Sequence, residues 1–372
     1  MSHLCAVFFK VILFYQLFAY HCFYFVSGRL NNRKKNPCFT IYNVSLTATL
    51  FCWIFQHQSL VLFTDNIQGY LIDLFKLLLI AFSYYAILLE CWLGSGCVVR
   101  LWNEFDEMYQ LITSPRWARL PRTHFITVTS FMVFMSFWEF TYAYGVASTS
   151  RATNFTIAFW LLFALIHLRQ LQILLYTDLL RFCLTEMNDQ LRWSIELSKA
   201  ASRYGGPRTD GQIHGHIRRL LDGFVRCYRL LVTINRAFGC SLIIIKIITH
   251  VYLLTDCYWI VFGIMRHDLR RSLAVVLIVE DKHHCRLLGV HSCEWIVLEC
   301  ARTRQLLHQI DLGWQLRNER GWEVVRAFLQ LLDSADPVSV NAMNLFKMDY
   351  SIVMAIIVHV ATSISIFIQA TG

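Results

Sequence analysis

GYLIDLFKLLLIAFSYYAILLECWLG runs from Gly69 to Gly94, and Asp73, Lys76 and Glu90 are its only charged residues. As a helix this stretch rises about 39 Å at about 1.5 Å per residue, more than the ~30 Å hydrocarbon core of a bilayer. A helix facing water keeps a polar stripe along one side, and this one has none, so it reads as a membrane span. Six further stretches follow the same rule: Phe39 to Leu62, Phe125 to Ala147, Phe155 to Leu180, Ala237 to Phe262, Ser272 to Cys293 and Tyr350 to Ile368. Composition agrees. The 372 residues are 56% apolar and 16% charged, against about 45–50% and about 25% in a soluble domain. With only 5 Pro and 28 Phe, collagen-like, disordered and coiled-coil classes fall away too. The fold class is an all-α membrane protein with seven transmembrane helices.

An eighth apolar stretch, Leu4 to Val26, has Lys10 and His21 as its strong polar interruptions. It reads as a signal peptide, a true span or a segment at the inner membrane face. The first is disfavoured because a basic leading region and a small-x-small cleavage site are both missing. Orientation follows from Lys and Arg, which concentrate in cytoplasmic loops. With residues 1–38 inside, the alternate segments on that side hold 24 of the 34 basic residues and the opposite loops hold 4. The N-terminus is therefore expected in the cytoplasm and the C-terminus outside. The net charge of +9 is a topology signal, and no nucleic-acid surface is needed to explain it. The 13 Cys are scattered through apolar runs, which argues against a disulfide framework. Two Asn-x-Ser/Thr triplets begin at Asn43 and Asn154. Asn43 lies in the first span and should be silent, whereas Asn154 lies in a short outer loop and is the glycosylation candidate.

The loop 181–236 is long and helically periodic. Leu180, Leu184, Met187, Leu191 and Ile195 recur at three or four residues before Gly205-Gly206-Pro207; Ile217, Leu220, Phe224, Tyr228, Leu231 and Ile234 do so after it. Ile296, Cys300, Thr303, Leu307 and Ile310 repeat the pattern beyond the sixth span. Two readings fit: amphipathic helices lying on the membrane, or spans four to six prolonged into a cytoplasmic bundle that buries the stripes.

Chemistry-bearing constellations are few. His283-His284-Cys285 with His291 and Cys293 matches no common zinc spacing. Beside Glu280-Asp281-Lys282 it reads as the polar face of a short or bent sixth span. Asp73 and Lys76 stand at i, i+3 and can pair. Glu90, Arg169 and Asp178 fall near expected cytoplasmic ends, where snorkelling is cheap. Glu139, between Trp138 and Phe140 with Tyr142 close by, is either a pocket residue or a structural hydrogen-bond partner. Gly-x-Ser-x-Gly, Gly-x-Gly-x-x-Gly and phosphate-loop patterns are missing, so an enzyme is not expected. In the last span no Lys, Arg, Asp or Glu occurs between Tyr350 and Ile368. Helical steps back from Gln369 reach Ser365, Thr362, Val358 and Ala355. This face could line a pore, or its hydroxyls could simply bond their own backbone.

The C-terminal stretch Asn344-Leu345-Phe346-Lys347-Met348-Asp349-Tyr350-Ser351, leading into Thr362-Ser363-Ile364-Ser365-Ile366-Phe367-Ile368-Gln369-Ala370, resembles the end of an insect gustatory receptor. That family's signature is Thr-Tyr, five hydrophobic residues, then Gln-Phe. Thr362 and Gln369 are kept, while Ser363 and Ala370 stand where Tyr and Phe are usual. The resemblance implies a ligand-gated non-selective cation channel in the plasma membrane of a sensory neuron dendrite, opened by a small-molecule tastant. It implies a homo- or heterotetramer with other gustatory receptor subunits, in contact with membrane lipid and needing no cofactor, metal or nucleic acid. Gln369, Ser365 and Thr362 would then belong to the pore and gate, and Glu139, Trp138 and Tyr142 to the ligand pocket. The division that follows is a membrane-associated segment 1–38, transmembrane helices one to six over 39–295, an anchor segment 296–348 and a pore helix 349–372. The rival classes are a seven-helix receptor coupled to another effector, disfavoured by the charge bias, and a transporter, disfavoured because no internal repeat is visible.

Overall fold

The computed structural model describes residues 3–26, 29–62, 67–112, 114–146, 150–204, 207–265, 290–309, 339–342 and 346–349, with helical positions scattered through 322–330 and 351–369. Among these residues the chain is helical apart from two small antiparallel ribbons. The order is α1 His3–Val7, α2 Phe9–Leu17, β1 Phe23–Val26 paired with β2 Arg29–Lys35, α3 Pro37–Gln56, α4 Gln58–Val61, α5 Ile67–Leu93 and α6 Ser95–Leu111. A 3-10 turn, Pro115–Arg119, leads into α7 Leu120–Val146, α8 Ser150–Tyr204 and α9 Pro207–Met265. Residues 290–308 form α10, β3 Asn341–Ala342 pairs with β4 Phe346–Lys347, and the described positions from 351 to 369 form a C-terminal helix.

Local chemistry sets the boundaries. The Asn36 side-chain oxygen accepts from the Cys38 amide at 3.2 Å and Pro37 occupies the first turn, which together start α3. α2 stops where Ala19 turns into the left-handed region at φ 58°. There the Tyr20 amide donates to the Tyr15 carbonyl and the Ala19 amide to Gln16, a Schellman closure that turns the chain back.

Helix α5 shows what surrounds the fold. Leu77, Ile80, Tyr84, Ile87 and Cys91 are buried, yet Leu71, Phe75, Leu78, Phe82, Leu89 and Leu93 form an exposed stripe on the other side. A helix apolar on both faces is stable only with lipid outside, and from 71 to 93 the stripe is about 33 Å long, close to the ~30 Å hydrocarbon core. α3 likewise exposes Ile41, Tyr42, Leu46 and Phe55. Among the described residues four helices are long and apolar enough to cross a membrane: Pro37–Gln56, Gly69–Leu93, Phe159–Leu197 and Gly215–Thr255.

α8 and α9, at 55 and 59 residues, each measure over 80 Å at about 1.5 Å per residue and outrun any bilayer. They pack along each other, and their stripes face inward. Leu180, Leu184, Met187, Leu191 and Ile195 are buried, as are Ile217, Leu220, Phe224, Leu231 and Ile234; Tyr228 alone in that set is exposed. Ile296, Thr303 and Leu307 of α10 complete the core. This burial decides against helices lying on a membrane surface. The bundle is tight enough that a Cβ on Gly223 would meet Met187 Cε of α8 and Leu111 Cδ2 of α6, each at 2.9 Å.

The Leu4 to Val26 stretch is not a span. α1 and α2 have 5 and 9 residues, too short to cross, and they bury Leu4, Phe8, Val11, Ile12 and Tyr15 in the core. The Leu4 amide donates to Asp106 Oδ1 of α6 at 3.1 Å.

Candidate functional site

Asp349 starts the C-terminal helix. Its Oδ1 accepts from the Ser351 amide at 3.1 Å and from the Ser351 hydroxyl, a side-chain cap on otherwise unmet first-turn donors. From there Ser351, Ala355, Val358, Thr362, Ser365 and Gln369 follow one another at four- and three-residue steps, and all six are exposed. The structure thus brings Thr362, Ser365 and Gln369 onto one open face. The Thr362 hydroxyl donates to the Val358 carbonyl at 2.9 Å and the Ser365 hydroxyl to Ala361 at 3.0 Å. The backbone-bonded alternative is therefore correct for the hydroxyl protons. The hydroxyl oxygens retain acceptor capacity, and the stripe carries no charge. His359, flanking it, lies with its ring centroid 4.7 Å from that of His250 in α9.

The base of this helix is held by a residue that no motif pointed to. Asn235 of α9 donates from Nδ2 to the Ser339 carbonyl at 3.1 Å, and its Oδ1 accepts from the Asn341 amide at 3.1 Å. The side chain acts as a short strand beside β3, whose partner β4 leads to the cap at Asp349. The Met348 amide donates to Val340 at 2.9 Å and closes the ribbon. Hydrogen bonds thus connect α9 through the ribbon to the start of the exposed stripe.

A second constellation lies in the core. Glu90 of α5 accepts from Arg169 Nη2 of α8 at 3.0 Å, from the Ser241 amide of α9 at 3.0 Å and from the Ser241 hydroxyl. Arg169 also donates from Nε to Ser241 Oγ at 3.0 Å and from Nη1 to Gln172, and its guanidinium lies 4.6 Å from the Phe238 ring centroid. Arg169 is only 1% exposed. The expectation that Glu90 and Arg169 snorkel is thus corrected: they pair inside, because a buried charge is tolerable only with its partner and hydrogen bonds in place. Asp178 is also engaged, accepting from Ser292 Oγ of α10 at 2.8 Å. Asp73 and Lys76 are both buried, and the Lys76 ammonium lies 6.0 Å from the Tyr252 ring centroid.

The N-terminal segment enters the same core. Gln172 Nε2 donates to the Tyr20 carbonyl at 3.4 Å, the Tyr20 hydroxyl donates to the Leu165 carbonyl, and Tyr15 bonds His124 at 2.8 Å. His21 bridges the Ile12 carbonyl and the Tyr176 hydroxyl, 3.3 and 2.9 Å away. Burial, with Arg169 adding to it, pulls the His21 pKa down to about 3, so the ring is neutral at physiological pH.

Trp138, Glu139 and Tyr142 lie in α7, but their side chains fall outside the described residues. So does the His283-His284-Cys285 cluster; among the described residues no group of His, Cys, Asp and Glu is arranged to hold a metal. Asn154 sits in the first turns of α8, partly buried, and not in a loop. No Gly or Pro follows Ser150 to delay the helix. Asn43 is buried and fully engaged, donating to the Leu17 and Phe39 carbonyls and accepting from Tyr84.

Residues 11–371 match the family described as 7tm Chemosensory receptor. The fold is similar to the insect olfactory receptor OR5 from Machilis hrabei, with a TM-score of 0.66, 13% identity and 98% of each chain covered. The same receptor in complex with eugenol gives a TM-score of 0.60 at 11% identity over 97% of each chain. No curated protein matches the chain.

Proposed function

We propose that this chain, which belongs to the 7tm chemosensory receptor family, is a gustatory receptor subunit of a ligand-gated, non-selective cation channel. It is not an enzyme. In this reading seven helices cross the plasma membrane of a taste neuron, with the N-terminus inside and the C-terminus outside. Four subunits, identical or mixed, place their C-terminal helices around a shared axis. The observation that carries the reading is the open stripe Ser351, Ala355, Val358, Thr362, Ser365 and Gln369. It is uncharged and exposed in the single chain, and the hydroxyl oxygens of Thr362 and Ser365, whose protons are spent on backbone carbonyls, keep acceptor capacity. A cation crossing a low-dielectric region needs such oxygens to replace lost water, and apolar rings such as Val358 can close by dewetting. The tastant-specific role rests on Thr362 and Gln369 of the C-terminal signature.

A small-molecule tastant would bind among the outer halves of the spans, with Trp138, Glu139 and Tyr142 as proposed contacts, and Asn154 would carry glycan on the outer side. The test is tastant-evoked current from the chain expressed alone and with candidate partner subunits. Cys placed at 369 should be blocked by a thiol reagent added outside, in an excised patch lacking soluble effectors. Current that vanishes on excision would favour a receptor coupled to another effector. Flux that saturates with substrate gradient would favour a transporter. Since Ala370 stands where a Phe is usual, Ala370→Phe should lower resting current; unchanged leak with unchanged block at 369 would exclude pore lining.

A further inference from the structure

A cleft of about 540 Å³ opens where the N-terminal segment meets the start of α7. Lys10 of α2 and Arg122 of α7 stand on its walls, followed along α7 by Phe125, Ile126, Thr129 and Ser130. Among the described residues no carboxylate lines it. Among the described residues neither Lys10 nor Arg122 forms an ion pair, although both are exposed. The arrangement is graded. Two cations and the polar start of α7 lie at one end, and Ile126, 57% exposed, lies one turn further toward the apolar body of that helix. Thr129 and Ser130 add hydroxyls about one turn beyond Ile126.

We infer that this cleft holds an anionic phospholipid, with its phosphate between Lys10 and Arg122 and the first part of an acyl chain along Phe125 and Ile126. Charge complementarity selects the headgroup, since two cations near a membrane surface without carboxylate partners attract anionic lipid. The exposed apolar wall selects a lipid over a free anion, because inorganic phosphate would leave it uncovered. α7 and the N-terminal segment would then be joined through a lipid of the inner leaflet. This side assignment rests on the inward N-terminus proposed above.

The measurement is native mass spectrometry of the purified full-length receptor in detergent, titrated with phosphatidylserine or phosphatidylcholine. The unmodified protein should retain phosphatidylserine preferentially. Lys10→Gln and Arg122→Gln should each weaken that retention about fivefold, and the pair about thirtyfold, with phosphatidylcholine unaffected. Ile126→Trp, which fills the cleft without changing charge, should cause a comparable loss, and Arg122→Lys should retain most binding. Thermal unfolding of each variant shows whether it is folded, and the lipid preference of the unmodified protein stands without any variant. Equal retention of both lipids, or unchanged phosphatidylserine binding in the double variant, overturns the assignment. Displacement of the lipid by inorganic phosphate alone also overturns it, in favour of a free-anion site. The titration requires no channel current, so intact lipid selectivity with no tastant response would count against the channel reading only.

Discussion

Removing one member of the Glu90–Arg169 pair strands the other inside three packed helices. Arg169→Met should therefore cost about 3–5 kcal/mol, read as a lower Tm in detergent. Arg169→Met combined with Glu90→Gln should cost clearly less than the two single changes added together, because no bare carboxylate remains. Strict additivity would mean the two groups do not interact. The sequence could not reveal this pair: Glu90 and Arg169 lie 79 residues apart, and each alone looks like a charge at the end of a span. His21 was visible only as an interruption in an apolar run. Its ring faces the Tyr176 hydroxyl and the Ile12 carbonyl, with the Arg169 charge nearby. Its folded pKa of about 3 lies below the ordinary value of 6.5, so the unfolded chain takes up the proton first as pH falls. The stabilising effect of the neutral ring is complete above pH ~6.5 and is lost progressively toward pH ~3. Unfolding followed across that window should show a shallower acid slope in His21→Gln; an unchanged slope would place the sensitivity elsewhere.

At the scale of elements, legibility followed periodicity. The stripes through Leu184, Phe224 and Ile296 recur every three or four residues, and all three lie buried where α8, α9 and α10 meet. The β3–β4 ribbon was invisible for the opposite reason. Strands of two residues, Asn341–Ala342 and Phe346–Lys347, have no period to detect, and Asn235 completes their edge from more than a hundred residues away in the chain. Asn235→Leu should leave the Ser339 carbonyl and the Asn341 amide unmet, at about 1–3 kcal/mol for each group that stays dry. Hydrogen exchange at the Asn341 amide should accelerate strongly. The proposed channel should also change its resting current, because the ribbon leads directly into the Asp349 cap. Protection that survives the substitution would show that the ribbon does not depend on the side chain.

At the scale of the whole molecule, burial within one chain separates folding from assembly. Phe224 and Leu231 are 6% and 3% exposed, so Phe224→Asp or Leu231→Asp would put a carboxylate into the chain's own core and unfold it. Such variants say nothing about subunit contacts. The outer face of the same helix is different: Tyr228 and Val232, one turn apart on α9, are 40% and 47% exposed. On the proposed topology this part of α9 projects past the membrane, where lipid cannot cover an apolar pair, and Trp193 of α8 and Leu298 of α10 are exposed on the same extramembrane bundle. An exposed apolar surface in water is what a neighbouring subunit would bury. Tyr228→Asp with Val232→Asp should consequently keep the monomer's helical content and Tm while shifting its native mass from the proposed tetramer to smaller species. Phe224→Asp should lower the Tm outright. An intact tetramer carrying both outer carboxylates would remove this face from the subunit interface and leave the C-terminal helices to hold the assembly alone.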